Sequence, residues 1–358
     1  MKQLKLAAIA LLASLAFTAC SDDDETPAPI IDPVYTNAYV INQGNYYGGV
    51  SGSIGVVGID SLSYIDNVFY AVNGQSLGDS PQGAVKYGSK IYVPMYGSNL
   101  LWVLDAATLR IVAQVTTSAP EGVAAAAGSV FVTNNDGYVT RIDTVSYSVQ
   151  SHVEVGPNPA NITACGDYVY ASISDGYNYA NSYADGFRVA VLSATTGEKV
   201  KDIAVGMNPG PIVADDYGNV FVVNRGDYYT VMPSVTKIDA TTGDTATVAS
   251  GQLIATDGST LYVLNSTSDY VTGAVSTTSS AIDTRTGSVV SASLLGDDPQ
   301  VGLPVSIDVD RVSGRLFICS DNSALGYAEN GTLHIYTTAG TRVGSVATGI
   351  HPCGVVFF

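Results

Sequence analysis

Few side chains in this sequence can carry acid–base or metal chemistry. Its histidines are His152, His334 and His351. The first two sit in strand-like alternation, where an imidazole usually serves packing. His351 lies in the turn-rich stretch "GIHPCG" and is the histidine best placed to meet a ligand or a metal. Cys165, Cys319 and Cys353 show no CxxC or Cys/His spacing, so a zinc site is not indicated; they allow one bridge at most, Cys319–Cys353. A GxSxG nucleophile elbow and a phosphate-cradling glycine loop are both absent from the sequence. Tyrosine is the abundant functional side chain, 23 of 358 residues. Many lie among Gly, Asn, Asp and Ser, as in "SDGYNYANSYADGFR" from 174 to 188. Tyr offers a large amphipathic face at the cost of two torsions, and small polar neighbours let a loop adapt, which is the chemistry of recognition.

The elements that position these loops come from a repeat. A short strand with one aromatic recurs as "AYVIN", "IYVPM", "VFVTN", "VYASI", "VFVVN", "LYVLN" and "LFICS". Its aromatic is Tyr39, Tyr92, Phe131, Tyr170, Phe221, Tyr262 and Phe317; Tyr92, Phe131 and Tyr170 are spaced by 39 residues, and Phe221 to Tyr262 by 41. Each copy continues with a strand ending in a turn such as "IDATTGD", a third strand, and a Pro/Gly corner such as "GPNPA". A small-residue strand then opens the next copy, for example from Gly122 to Ala127. The corner near "ASGQLIATDG" lacks proline. Four short strands per unit of about 40 residues, seven times over, predict an all-β, seven-bladed β-propeller with four antiparallel strands per blade. The chain enters in an aromatic strand and ends in "GVVFF", so the C-terminal strand is expected to close the ring by pairing with the N-terminal blade.

In such a ring, the loops after the aromatic strands and the Pro/Gly corners emerge on one face. Tyr46, Tyr47, Tyr96, Tyr177 and Tyr179 fall in these loops, as do Tyr183, Tyr228, Tyr229, Tyr270 and Tyr327. Asn99 and Arg225 belong to the same loops, and His351 to a corner of the same face. These thirteen residues are the candidate ligand-binding set. Within "SDGYNYANSYADGFR", Phe187 is expected to pack and the three tyrosines to bind. The corners also offer Gln82, Glu121, Asn158 and Asn208, a set with a single carboxylate and a weak one for a hard cation. No catalytic residue, resident cofactor or metal is assigned.

A net charge of −17 and 13% charged residues argue against nucleic acid, which needs clustered Lys and Arg. Residues 1–19 have the basic start and apolar run of a secretory leader. The Cys20 that follows resembles the lipidated cysteine of a bacterial lipoprotein. Residues 20–36, "CSDDDETPAPIIDPVYT", form an acidic, proline-containing tether, and 37–358 the propeller. An acidic run behind such a cysteine resembles the surface-export signal of Bacteroidetes lipoproteins.

"VFVTN", the "D-A/T-T-x-G" turn and the "V-G-x-x-P" corner resemble the YVTN-type seven-bladed propellers across about 37–358. The first blade, "YVINQGNYYGGVSGSIGVVGIDS…NVFYAVNGQSLGDSPQG", is similar to a group of Bacteroidetes surface lipoproteins. That resemblance implies an outer-membrane, lipid-anchored protein facing the exterior. It implies capture of vitamin B12 or a related corrinoid and its delivery to a TonB-dependent transporter. Two other classes stand beside it: a propeller that binds a protein and no small ligand, and a metal-dependent hydrolase of the lactonase type. Quinoprotein dehydrogenases rely on tryptophan-bearing blade motifs, and Trp102 is the sole tryptophan here.

Overall fold

The recurring aromatic strand is the second strand of every sheet. The computed structural model describes residues 37–268, 274–296, 300–322 and 327–358. The leader, Cys20, the rest of the tether and Tyr270 lie outside the described residues. Among the described residues the strands form seven antiparallel sheets of four, as the repeat predicts. The aromatic strands are Asn37–Asn42, Lys90–Met95, Ser129–Asn134, Tyr168–Ile173, Asn219–Asn224, Thr260–Ser268 and Arg315–Asp321.

Side-chain alternation explains why one aromatic per repeat builds the ring. Successive residues of a strand point to opposite faces of its sheet. Phe131 enters the hollow of the fourth blade, against Val169 and Ala171. Its neighbours Val130 and Val132 face back and receive Tyr92 from the second blade. Tyr39, Tyr170, Phe221, Tyr262 and Phe317 repeat the arrangement, each in a separate apolar cluster shared with the following blade. Phe317 of the last blade packs on Ala38, Val40 and Val355 of the first, so the succession has no end.

The first blade is assembled from both ends of the described chain. Pro352–Phe357 pairs antiparallel with Asn37–Asn42, placing Tyr39 opposite Val356. Most turns between third and fourth strands are held by the side chain that ends the third strand. Asp143 accepts the N–H of Ser146 at 2.7 Å and Asp283 that of Thr286 at 2.7 Å, with Ser193 in the same role for Thr196.

Three features depart from the sequence reading. The corner proline begins the first strand instead of preceding it: the predicted strand from Gly122 spans Pro120–Ala126, and that of the fifth blade Pro209–Ala214. The segment after "YVLN" continues its strands, Thr260–Ser268 and Val275–Asp283, so it is a projecting hairpin and not a loop from its first residue. Between the first two blades a short helix, Val68–Asn73, packs buried Phe69 5.9 Å from Trp102. Asn73 then bonds to the next blade's turn, accepting the N–H of Ile111 at 3.1 Å and donating to the Leu109 carbonyl at 2.9 Å.

Because Phe131 is the single aromatic of its inter-blade cluster, removing it leaves a void that the rigid sheets cannot close. Phe131→Ala is expected to destabilise the fold by about 3–5 kcal/mol, read as a lowered urea midpoint.

Candidate binding face

The repeat generates the face from two rings of positions. Register places each corner proline beside the end of an aromatic strand: Pro120 opposite Asn134, Pro209 opposite Asn224, Pro352 opposite Asn42. The residue before five of the corner prolines has a positive φ: Ser80, Ala119, Asn158, Asn208 and His351. Asn and His tolerate that conformation better than most side chains. The second ring lies four residues beyond each aromatic: Gln43, Tyr96, Asn135, Ser174, Arg225, Ser266 and Asp321. The rings touch between blades. Asn158 donates to the Asn135 side chain at 3.1 Å, and Nδ1 of His351 lies 2.9 Å from an Asp321 carboxylate oxygen.

From these rings Gln43, Arg225 and His351 line a cavity of about 680 Å³ on the ring axis, walled by residues of all seven blades. Gln43, Glu121, Arg225, Tyr327 and His351 line it at the tyrosine-rich end. Glu121 accepts the Asn135 amide at 2.9 Å. Burial raises its carboxyl, while that bond and the Arg225 charge lower it less. Arg225 lies over Gly210, where an added Cβ would stand 2.4 Å from the guanidinium carbon. Gly210 thus makes room for the arginine. Deeper in the cavity, Asp308 accepts the N–H of Val355 at 3.0 Å, and burial pushes its carboxyl up to about 7. Burial, then Asp308, pushes the Cys353 thiol up to about 12. Cys165, Cys319 and Cys353 are all free.

The tyrosines divide into exposed and anchored sets. Tyr47 is 99% exposed, Tyr229 90% and Tyr179 72%, rings held almost wholly in water. Tyr46 packs edge-on against Tyr47, with centroids 5.4 Å apart. The hydroxyls of Tyr96 and Tyr177 meet at 3.0 Å, tying the loop of the second blade to that of the fourth. That bond first, then burial, raises the Tyr96 hydroxyl pKa. Tyr327 stacks on His351, with centroids 4.2 Å apart, and its carbonyl accepts the Asn45 amide at 2.8 Å. The Tyr228 hydroxyl lies 3.5 Å from the Asn208 amide. Its loop is preorganised by Asp227, which accepts the N–H groups of Tyr229, Thr230 and Val231. The Thr230 hydroxyl and these N–H groups hold the Asp227 carboxyl well below the usual range.

Two expectations for "SDGYNYANSYADGFR" reverse. Tyr183 is 6% exposed, and its N–H bonds to the Asn178 carbonyl at 3.0 Å, so it anchors the loop instead of lining the face. Phe187, expected to pack, is 38% exposed. The loop closes on Asp175, which takes the Asn178 amide and the Asp185 N–H, and on Gly186, where a Cβ would meet the Ser174 carbonyl at 2.1 Å. Asn99 is exposed, yet its side chain accepts the Ala119 N–H at 2.9 Å and so braces a corner. Gln43 and Asn135 were missed as rim residues; counting four residues on from each aromatic finds both. Among the described residues, no three His, Cys, Asp or Glu side chains converge as a metal site would require.

A family model described as "Domain of unknown function (DUF5074)" matches residues 36–357. No curated protein matches the chain in sequence. Among solved structures, a quinonprotein alcohol dehydrogenase-like protein from Bacteroides thetaiotaomicron is similar at 14% identity and TM-score 0.63, over 90% of this chain and 78% of that one. Hydrazine synthase of Kuenenia stuttgartiensis is similar at 17% identity and TM-score 0.61, over 76% of this chain and 88% of that one. Apo AztD from Citrobacter koseri is similar at 10% identity and TM-score 0.53, over 91% and 98%. At these identities the likeness is one of fold.

Asp308 gives the cavity a pH signature. Its ordinary carboxyl value of 3.8 is raised to about 7 in the folded chain. The folded state therefore holds the extra proton between these values, and stability falls as pH rises through that window. Asp308→Asn keeps an acceptor for the Val355 N–H and removes the titration. The variant is expected to melt above the wild type at pH 8, with the difference vanishing toward pH 4.

Proposed function

The chain belongs to the DUF5074 family, and on its propeller we propose a capture site for a large, flat small molecule, most closely a corrinoid of the vitamin B12 type. The observation that carries this reading is the gathering of solvent-held tyrosine rings around a polar cavity mouth. Tyr47, Tyr177 and Tyr228 are 99%, 67% and 64% exposed, in loops of three different blades. An aromatic ring buries on the order of 150–250 Å² when covered, worth several kcal/mol at roughly 25 cal/mol/Å². Water is a poor partner for so many rings, and a planar ligand is a good one. The polar rim suits the amide-bearing edge of a corrinoid: Gln43, Gln82, Asn135 and Asn158 donate and accept where peripheral amides would approach. The resemblance of the first blade to corrinoid-capturing surface lipoproteins supports the same ligand.

The proposal includes the setting. Lipidated at Cys20, the protein would sit on the outer membrane facing the exterior and pass its ligand to a TonB-dependent transporter. The outermost rings support this docking role. Tyr229 and Met232, 90% and 65% exposed in one loop, lie apart from the residues that line the cavity and are available to a partner surface.

Calorimetry of the purified protein with cobalamin tests the ligand. Saturable heat is expected, with thermal stabilisation of about 2.7 kcal/mol at one hundred times Kd. Tyr177→Ala should weaken binding roughly tenfold, or about 1.4 kcal/mol. Tyr168→Ala, at the opposite end of its strand, should leave affinity unchanged. Absence of both heat and stabilisation overturns the corrinoid reading.

A further inference from the structure

The contact between the last blade and the first departs from the repeat in its chemistry. At the junction of the third and fourth blades, the corner residue Asn158 bonds to Asn135, four residues beyond Phe131. At the ring-closing junction the same two positions hold His351 and Asp321, with Nδ1 at 2.9 and 3.1 Å from the two carboxylate oxygens. A pair of amides therefore suffices to join blades at this register. The histidine and aspartate supply something amides cannot.

A carboxylate only accepts, so the proton between the two groups belongs to Nδ1, and in the neutral imidazole Nε2 then presents its lone pair. Among the described residues Nε2 has no hydrogen-bond partner. The ring is gripped on one face by Tyr327 and on one edge by Asp321, with side chains 15% and 8% exposed for His351 and Asp321. His351 lines the axial cavity at its tyrosine-rich end. An imidazole oriented by a carboxylate through one nitrogen, with the other free, is the arrangement that metal-binding histidines use.

We propose that His351 is an axial ligand, through Nε2, for the metal at the centre of a tetrapyrrole seated on the tyrosine face, with Asp321 as its positioning residue. An axial water leaves as the nitrogen–metal bond forms; no redox change is involved. This rests on the mouth being the binding site but not on the ligand being a corrinoid, since ferric haem presents the same open axial position.

Absorption titrations with diaquocobinamide and with ferric haem test it, with dicyanocobinamide, whose axial positions are blocked, as the control. One of the first two is expected to show the spectral change of water replaced by nitrogen. The change should be lost in His351→Asn, a variant that keeps the fold because Asn158 and Asn208 hold this position with the same positive φ. Asp321→Asn should weaken that ligand by about 10–100-fold and leave dicyanocobinamide affinity unchanged. That change with haem, together with no binding of either cobinamide, sustains the role of His351 and overturns the corrinoid reading. Corrinoid binding without any change, or a change that persists in His351→Asn, overturns the role of His351, as does failure of both tetrapyrroles to bind.

Discussion

Everything in this molecule hangs on an aromatic ring from one sheet filling the hollow of the next. The contact is directional around the ring: Tyr92 packs on Val130 and Val132, and Phe131, between them, packs forward on Val169. One strand thus gives a side chain to one neighbour and receives a side chain from the other. This double duty fixes where each aromatic strand lies, and with it the height of both strand ends. The loops are left free of any role in the core. They can lengthen and change residue type while the positions from which they spring stay constant.

Chemistry enters where that constancy is broken. The ring four residues beyond the aromatics is mostly neutral, but Arg225 and Asp321 are charged. Each charge comes with an accommodation in the neighbouring ring. Gly210 vacates the space Arg225 fills, and His351 replaces the asparagine that other corners use. Seven near-equivalent blades therefore present an asymmetric mouth.

The fold was legible because the aromatic strand recurs in all seven copies and the Asp and Pro turn signals agree with it in most of them. The shared face of the loops followed from strand direction alone. The roles of individual loop side chains were less legible. Nothing in "SDGYNYANSYADGFR" has a period, so Tyr183 and Phe187 could not be told apart by spacing. The burial of Tyr183 goes with Asp175 and Gly186 drawing the loop tight. The helix Val68–Asn73 carries no side-chain cap and is too short for a periodic stripe; it is held by Phe69 and Asn73. Arg225 looked like one polar loop residue among several until its glycine partner, fifteen positions earlier in sequence, came into view.

The joining of Asn37–Asn42 to Pro352–Phe357 also has a consequence in time. Contacts between residues so distant in sequence carry a large loop-closure entropy and slow folding. A ribosome must reach Phe357 before the first blade can be completed, and until then a hydrogen-bonding edge stands open to other strands. His351 adjoins the strand that arrives last, and its partner Asp321 belongs to the preceding blade. The His351–Asp321 contact at the mouth therefore forms only with the same long-range pairing that closes the ring.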